Sequence, residues 1–284
     1  MSGRRRTYYW ILAAAGCVFI ALGVQAFWLE PASLLVVEER ISLPRPWAAP
    51  LRVAILTDLH IGSPFNGMDK LRDIVTRTNA AQPDVTVILG DLLSNGINGA
   101  RSERPGFITP EQVAPELANL RARVGVFAVL GNHDNWLDHD RVAAALEQNG
   151  VRLIEDQAVR LDTPAGAIWL AGVSDYWTRS HDVAKALAPI GNDPAPIILI
   201  THNPDLFPEV PERVSLTLAG HTHGGQVRFP FLGAPIVPSR FGVRFTSGHV
   251  VEGGRHMFVA TGIGTSILPV RFRVPPAITV LTIE

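Results

Sequence analysis

The sequence predicts an α/β domain of about 240 residues behind an N-terminal membrane helix. Three observations carry that expectation. The first half alternates β-α-β and the second half is mostly β. Strand after strand ends in a short polar block. An uncharged apolar run occupies the N-terminus. The chain has 284 residues and a formal net charge of −1. That near-neutral balance excludes a stable nucleic-acid partner held by bulk attraction to phosphates. Cys17 is the single cysteine, which excludes a disulfide framework and a thiolate metal site. Metal chemistry here must use His, Asp, Glu and Asn.

Tyr8 to Leu29 is an apolar run of about 22 residues without charge, roughly 33 Å as a helix and enough for a bilayer core. A buried core helix would show a polar face, and this run shows none. Tyr8, Tyr9, Trp10 and Trp28 sit near its ends, where interfacial aromatics belong. Arg4, Arg5 and Arg6 precede it and are expected to hold the N-terminus in the cytoplasm. The expectation is therefore a single-pass protein of the inner (cytoplasmic) membrane whose folded domain is extracytoplasmic. Val24-Gln25-Ala26 offers a cleavage site, Arg5-Arg6 a twin-arginine pair, and Ala15-Gly16-Cys17 a faint lipoprotein signal. The run is longer than a usual signal core, which favours an uncleaved anchor.

Glu30 to Pro50 reads as a connector rich in Pro and charge, with a short apolar stretch at Leu34–Val37. The domain is expected from Leu51 to Glu284. Leu51–Thr57 reads as a buried strand, and Leu71, Ile74, Val75 and Thr78 recur at helical spacing. Val85–Leu89 is a second strand, ended by Gly90. Thr109-Pro110 with Gln112 is an N-cap, a first-turn proline and a capping-box partner, opening a helix through Leu117 and Leu120. Val124–Leu130 is a third strand, and a helix at Asp138–Asn149 ends on Gly150. Further strands are read at Ile168–Val173, Ile197–Ile200, Leu216–Ala219, Phe258–Ala260 and Ile278–Ile283.

The polar blocks fall at the ends of these strands. Asp58-Leu59-His60 follows the first, Gly90-Asp91 the second, and Gly131-Asn132-His133-Asp134 the third. Thr201-His202-Asn203 and Gly220-His221-Thr222-His223 follow two more. A single Asp-x-His or Gly-Asp is ordinarily turn chemistry. Five of the nine histidines, however, sit directly after apolar strands, at the edge where α/β sheets bind ligands. His139, His181, His249 and His256 lack that placement and read as surface or packing residues.

The order Asp-x-His, Gly-Asp, Gly-Asn-His-Asp, His, Gly-His-x-His resembles the calcineurin-like metallophosphoesterase superfamily. GHTHGGQV at Gly220–Val227, Pro238-Ser239-Arg240 and GTSILPVRFRVPP at Gly264–Pro276 resemble its membrane-anchored bacterial branch. That branch includes secreted phosphodiesterases and a UDP-2,3-diacylglucosamine pyrophosphatase of lipid A biosynthesis. The resemblance implies a four-layer α-β-β-α sandwich of two mixed sheets. It implies that Asp58, His60 and His223 bind one metal, that Asn132, His202 and His221 bind another, and that Asp91 bridges them. It makes His133 the catalytic residue, contacting phosphate or protonating the leaving oxygen. Mixed His and carboxylate ligation suits Mn²⁺, expected first, or Zn²⁺ or Fe better than Ca²⁺ or Mg²⁺. Two such ions lower the pKa of a bridging water and clamp phosphoryl oxygens. One position departs from the protein-phosphatase pattern. Ser94 stands where an Asp orients the catalytic His, so Asp134 or a neighbour is the expected substitute.

The substrate is a phosphoester, expected to be a membrane-lipid or nucleotide-linked phosphodiester. The long loop Leu92–Ile108 reads as a lid, with Arg101 and Arg104 as candidate substrate contacts. Phe229–Val237 could hold an acyl chain, rest on the membrane or pack on the core. Arg271 and Arg273 could meet anionic groups. The alternatives are the UDP-2,3-diacylglucosamine pyrophosphatase, a phosphomonoesterase or nuclease, and a non-catalytic membrane-tethered metal-binding scaffold. The intact ligand blocks oppose the scaffold. An outside domain opposes the pyrophosphatase, whose substrate is expected on the cytoplasmic side.

Overall fold

β-Branched and leucine-rich runs supply two sheets, and the amphipathic segments between them supply the covering helices. The computed structural model describes residues 2–44, 47–94 and 107–284. The apolar N-terminal run is helix α1 (Ser2–Val24), which passes through one π turn at Gln25–Leu29 into a last turn, α2 (Glu30–Ala32). Thr7–Ala32 is long and apolar enough to cross a membrane. Its Trp10, Phe19 and Ile20 are 72%, 80% and 66% exposed, a surface that only lipid or another apolar partner would cover.

In chain order there follow β1 (Leu35–Ile41), β2 (Leu51–Leu56), α3 (Met68–Ala80), β3 (Val85–Ile88), α4 (Pro110–Leu117), β4 (Gly125–Ala128), α5 (Asn132–Gln148) and β5 (Arg152–Leu153). The second half holds β6 (Gln157–Thr163), β7 (Gly166–Gly172), α6 (Val183–Leu187), β8 (Ile197–Ile200), β9 (Leu216–Ala219), β10 (Gly248–Glu252), β11 (Arg255–Val259) and β12 (Ala277–Ile283). One sheet runs β1-β12-β2-β3-β4-β5 and the other β10-β11-β9-β8-β7-β6. Both are mixed. β2, β3, β4 and β5 pair in parallel, as do β11, β9, β8 and β7, while β12 against β2 and the pairs β10–β11 and β6–β7 are antiparallel.

Val53, Ile55 and Val87 of the first sheet meet Leu170, Ile198 and Leu218 of the second in the central core. Leu56 and Ile88 face the other way, against Leu71 of α3, Leu117 of α4 and Leu146 of α5. Ala171, Leu199 and Val259 line the outer face of the second sheet with Ala186 and Leu187 of α6. The result is the four-layer sandwich. Parallel strands point their carboxyl ends one way, so the polar blocks of both sheets arrive at one edge.

The structure corrects three readings. The stretch read as connector is not a free tether, because Leu35–Ile41 pairs in parallel with Ala277–Ile283. Its charged run at Glu38, Glu39 and Arg40 hid an edge strand, where solvent-facing charge is tolerated. The helix read from Asp138 begins at Asn132, with Asp138 in extended backbone as a break. The Asp138 carboxylate accepts from Arg141 N at 3.2 Å and caps the second half. The strands Gln157–Thr163 and Gly248–Glu252 were missed, both being partly exposed edges without an apolar run. The capping box at Thr109 is present, with Gln112 Oε1 accepting from Thr109 N at 2.9 Å.

Candidate functional site

Three of the five polar blocks leave their strands through a sharp reversal. Asp58 (φ 52°), His60 (43°), Asp91 (55°), His221 (67°) and His223 (51°) all adopt the left-handed backbone region. For non-glycine residues this costs about 1–3 kcal/mol each and persists only where surrounding structure enforces it. The enforcement is visible. His60 N donates to Asp91 O at 2.9 Å, Asp58 N to Gly90 O at 3.0 Å, and Gly264 N to Asp58 O at 2.6 Å. Five of the twelve positive-φ non-glycine residues among the described residues lie in this one cluster, which marks it as functional rather than incidental. Gly131 is required for a different reason: a Cβ there would collide with the Asp91 carboxylate.

Two groups of donor atoms result, each within 4.8 Å: Asp58, His60, Asp91 and His223, and Asp91, His202 and His221. Asp91 belongs to both. Its Oδ2 lies 3.5 Å from His60 Nε2 and 3.4 Å from His202 Nε2. His223 Nε2 is 3.3 Å from Asp58 Oδ1 and 3.2 Å from His60 Nε2. Asn132 Oδ1 is 3.1 Å from His202 Nε2, which lies 3.0 Å from His221 Nδ1. All seven residues named for metal binding from the sequence are therefore brought together, and all are buried.

The electrostatics of this packing fit cations. Burial, only partly offset by Asp91, pulls His60 down to about 3, and burial pulls His223 down to about 3 despite Asp58. Both rings are therefore neutral, the form in which an imidazole nitrogen can act as a ligand. Burial also acts on His202, but the charge of Asp91 and its hydrogen bond outweigh it and hold the ring up at about 10, so a positive charge is favoured beside Asp91 and a bound cation would take the place of that proton. Asp58 Oδ1 and His221 Nε2 are buried without a hydrogen-bond partner. Buried, convergent, unpaired acceptors of mixed N and O type are a site for divalent transition-type ions.

The supporting residues are equally specific. His202 Nδ1 lies 2.7 Å from Leu89 O, which places the proton there and turns Nε2 to the cluster. Asp134, expected as a partner for His133, instead accepts backbone N–H groups from Asp91 (2.7 Å), Leu92 (2.9 Å) and Gly131 (3.0 Å). It ties two strand exits together. Burial and then the charge of Asp91 push its carboxyl up to about 7, against those N–H bonds. His133 is half-buried at the cleft, its ring centroid 4.7 Å from His60, and its N–H donates to Asp91 Oδ1 at 2.9 Å.

Arg271 does not face the cleft to receive anions. It is fully buried and donates to the carbonyls of Gly264, Val274 and Thr261, with Nη2 3.5 Å from His223 Nδ1. Arg101 and Arg104 lie outside the described residues. The sequence reading missed Trp136 and Trp177, which wall the cleft, with rings 5.1 Å from His133 and 4.2 Å from His221. Trp136 stands three residues after His133 in a helical turn, the one signal that could have found it.

The histidines read as surface or packing groups lie apart from both donor groups. His139 Nε2 meets Glu155 Oε2 at 2.7 Å, and Glu155 Oε1 accepts from Leu130 N at the end of β4. Burial lowers the His139 pKa, but hydrogen bonds to Glu155 and Asp140 outweigh it and raise it above 6.5. The protonated ring therefore contributes stability that is fully present below 6.5 and lost as pH rises through the raised value. His139→Gln should melt below the wild type at about pH 6, and the gap should narrow by about pH 9. A gap independent of pH would reject the ion pair.

A calcineurin-like phosphoesterase family model matches residues 51–225. The chain is 29% identical over 266 residues to the metallophosphoesterase YkuE of Bacillus subtilis (strain 168), covering 91% of this chain and 88% of that protein. It is 27% identical over 257 residues to the phosphodiesterase YaeI of Escherichia coli (strain K12), covering 89% of each. A transmembrane protein with metallophosphoesterase domain from Danio rerio is 30% identical over 78% of this chain and 50% of its own length. A solved structure from Staphylococcus aureus assigned as a 5'-nucleotidase shares the fold at 10% identity and TM-score 0.50, covering 82% of this chain and 54% of that one. The buried donor cluster and the family match agree: this chain belongs to the calcineurin-like phosphoesterases and is a metallophosphoesterase, a hydrolase of phosphoric esters.

Proposed function

We propose that the chain is a binuclear phosphodiesterase anchored in the inner membrane by Tyr8–Leu29, with its catalytic domain outside. The observation that carries the two-metal reading is Asp91, whose carboxylate belongs to both donor groups. Asp58, His60 and His223 would hold one ion and Asn132, His202 and His221 the other, with Asp91 available to both. Mn²⁺ is the first candidate, since the donors mix imidazole with carboxylate and amide oxygen. Two such ions supply Lewis-acid neutralisation of phosphoryl oxygens and a more acidic water. The protein's own part is to position and to move a proton. His133, at the cleft beside His60, protonates the leaving oxygen, and Trp136 and Trp177 wall the cleft on either side of the donor groups.

The similarity to a protein named as a phosphodiesterase supports diester over monoester cleavage. A cleft of about 850 Å³, walled by Ile236, Ile267, Leu268 and Val270, supports a substrate with an apolar part, a membrane-lipid or nucleotide-linked diester. Three arginines before the span support the outside placement of the domain. The test is hydrolysis of an aryl phosphodiester and an aryl phosphomonoester by the full chain in detergent with Mn²⁺. The diester should be preferred, and His133→Gln should lower kcat by roughly 10²–10⁴-fold while bound metal stays unchanged. Faster monoester cleavage rejects the diesterase, and an unchanged kcat rejects His133 as the acid.

A further inference from the structure

The anchor helix ends against the catalytic domain rather than on a free tether. Arg271 N donates to Ala26 O at 2.9 Å, and Val274 N donates to Glu30 Oε1 at 2.6 Å, with Glu30 itself buried. The Trp28 and Phe65 rings meet edge to face at 5.5 Å. On the other side, Lys70 Nζ caps the carbonyls of Ala32 and Ser33 at 3.0 and 2.6 Å. These contacts come from two separate segments, Phe65 to Lys70 and Arg271 to Val274, so the domain is held in one orientation at the helix end.

That docking fixes a depth. Ala26 precedes Leu29, the end of the apolar run, by three residues, or about 4.5 Å along a helix. The backbone at Arg271 therefore lies level with the last turn of the membrane span. Two exposed loops lie beside it. Phe272 N donates to Gln226 O at 2.8 Å and Arg228 N to Phe272 O at 2.9 Å, which ties in the loop from Phe229 to Ile236. Ile267 and Leu268 stand four and three residues before Arg271. Phe231 is fully exposed, and Leu232, Ile236 and Ile267 are 82%, 78% and 71% exposed.

Contiguous bulky apolar groups of this kind are costly in water. Two of them, Phe231 (φ 67°) and Ile267 (φ 65°), are presented from left-handed backbone, which bulky and β-branched residues rarely adopt. Beside Phe231 and Leu232 lies a cavity of about 660 Å³ lined also by Arg228, Arg244 and Arg273, suited to anionic headgroups. Ile236, Ile267 and Leu268 also form the rim of the metal cleft.

Resting on the reading of Tyr8–Leu29 as a membrane span, we propose that the Phe229–Ile236 loop and Ile267–Leu268 form a second membrane contact. They insert at the headgroup boundary of the same leaflet and hold the mouth of the metal cleft against it. A diester resident in that leaflet then reaches the cleft without leaving the lipid.

The test uses the full chain in a Cys17→Ser background, reconstituted in bilayers of phosphatidylcholine with phosphatidylglycerol. Phe231→Cys, Ile267→Cys and Glu212→Cys are labelled with a polarity-sensitive fluorophore. Glu212 is exposed just before the amino end of β9, at the edge of the sheet opposite the cluster, and serves as the aqueous reference. Labels at 231 and 267 should shift to the blue and be quenched by nitroxide-bearing lipids, while 212 does neither. Water-like emission at both loop sites, or failure of the chain to enter the bilayer, overturns the proposal. Hydrolysis of the soluble aryl diester, measured on the unlabelled wild type, reports on the diesterase reading separately. Inserted labels with an inactive wild type would leave the membrane face standing and remove the diesterase.

Discussion

Asp91→Ala is expected to reduce hydrolysis by on the order of 10³-fold or more, comparable to or beyond the loss of one group aimed at transition-state charge. The reason is its double membership. Its Oδ2 faces both His60 and His202, and its Oδ1 accepts from His133 N at 2.9 Å. Alanine removes the bridge between the two donor groups and loosens the turn that carries the proposed acid. Metal content should fall below two ions per chain, measured by elemental analysis alongside kcat. Circular dichroism separates this from misfolding, since β3 and its neighbours do not need the side chain. Full activity with two bound ions would overturn the bridging assignment.

Arg271→Met is expected to cost stability rather than chemistry, by about 3–5 kcal/mol for a broken buried charged network. The guanidinium is fully buried, and burial lowers its pKa to about 10, with Asp58 and Glu30 opposing that shift. Its fork satisfies the carbonyls of Gly264, Val274 and Thr261 together. Methionine fills the space but donates nothing, leaving buried acceptors unpaired at about 1–3 kcal/mol each. A fall in melting temperature on the order of 10 °C should follow. Arg271→Lys should not restore it, because an ammonium lacks the planar fork. A melting temperature within about 2 °C of the wild type would show that the segment re-forms its bonds elsewhere.

The site was legible in the sequence for a physical reason. Parallel strands buried on both faces are short apolar runs, so Asp58, Asp91, Asn132, His202 and His221 stand out as polar residues at their ends. The fold class followed from the same punctuation. What escaped depended on contacts between distant segments. Leu35–Ile41 carries the charges of an edge and becomes a strand only by pairing with Ala277–Ile283. Arg271 looks like an anion contact until the chain around Gly264 and Val274 closes over it. Trp136 and Trp177 come from different sheets' connections, and no local spacing unites them at the cleft. Asp134 shows the same limit, since its partners at Asp91 and Leu92 lie more than forty residues away, at separations of 43 and 42.

The strand order has a consequence for how the chain assembles. β12, the last strand in chain order, sits between β1 and β2 in the first sheet and pairs with both. Until it is made, those two early strands have no neighbour to join them, and the segment leaving the membrane helix stays unpaired. Closing a loop of that length is entropically slow, and it makes the fold dominated by non-local pairings. The domain therefore completes its first sheet only after synthesis has reached Ala277–Ile283. The turn that holds Asp58, through Gly264 N on Asp58 O, is likewise made only when the last segment of the chain arrives.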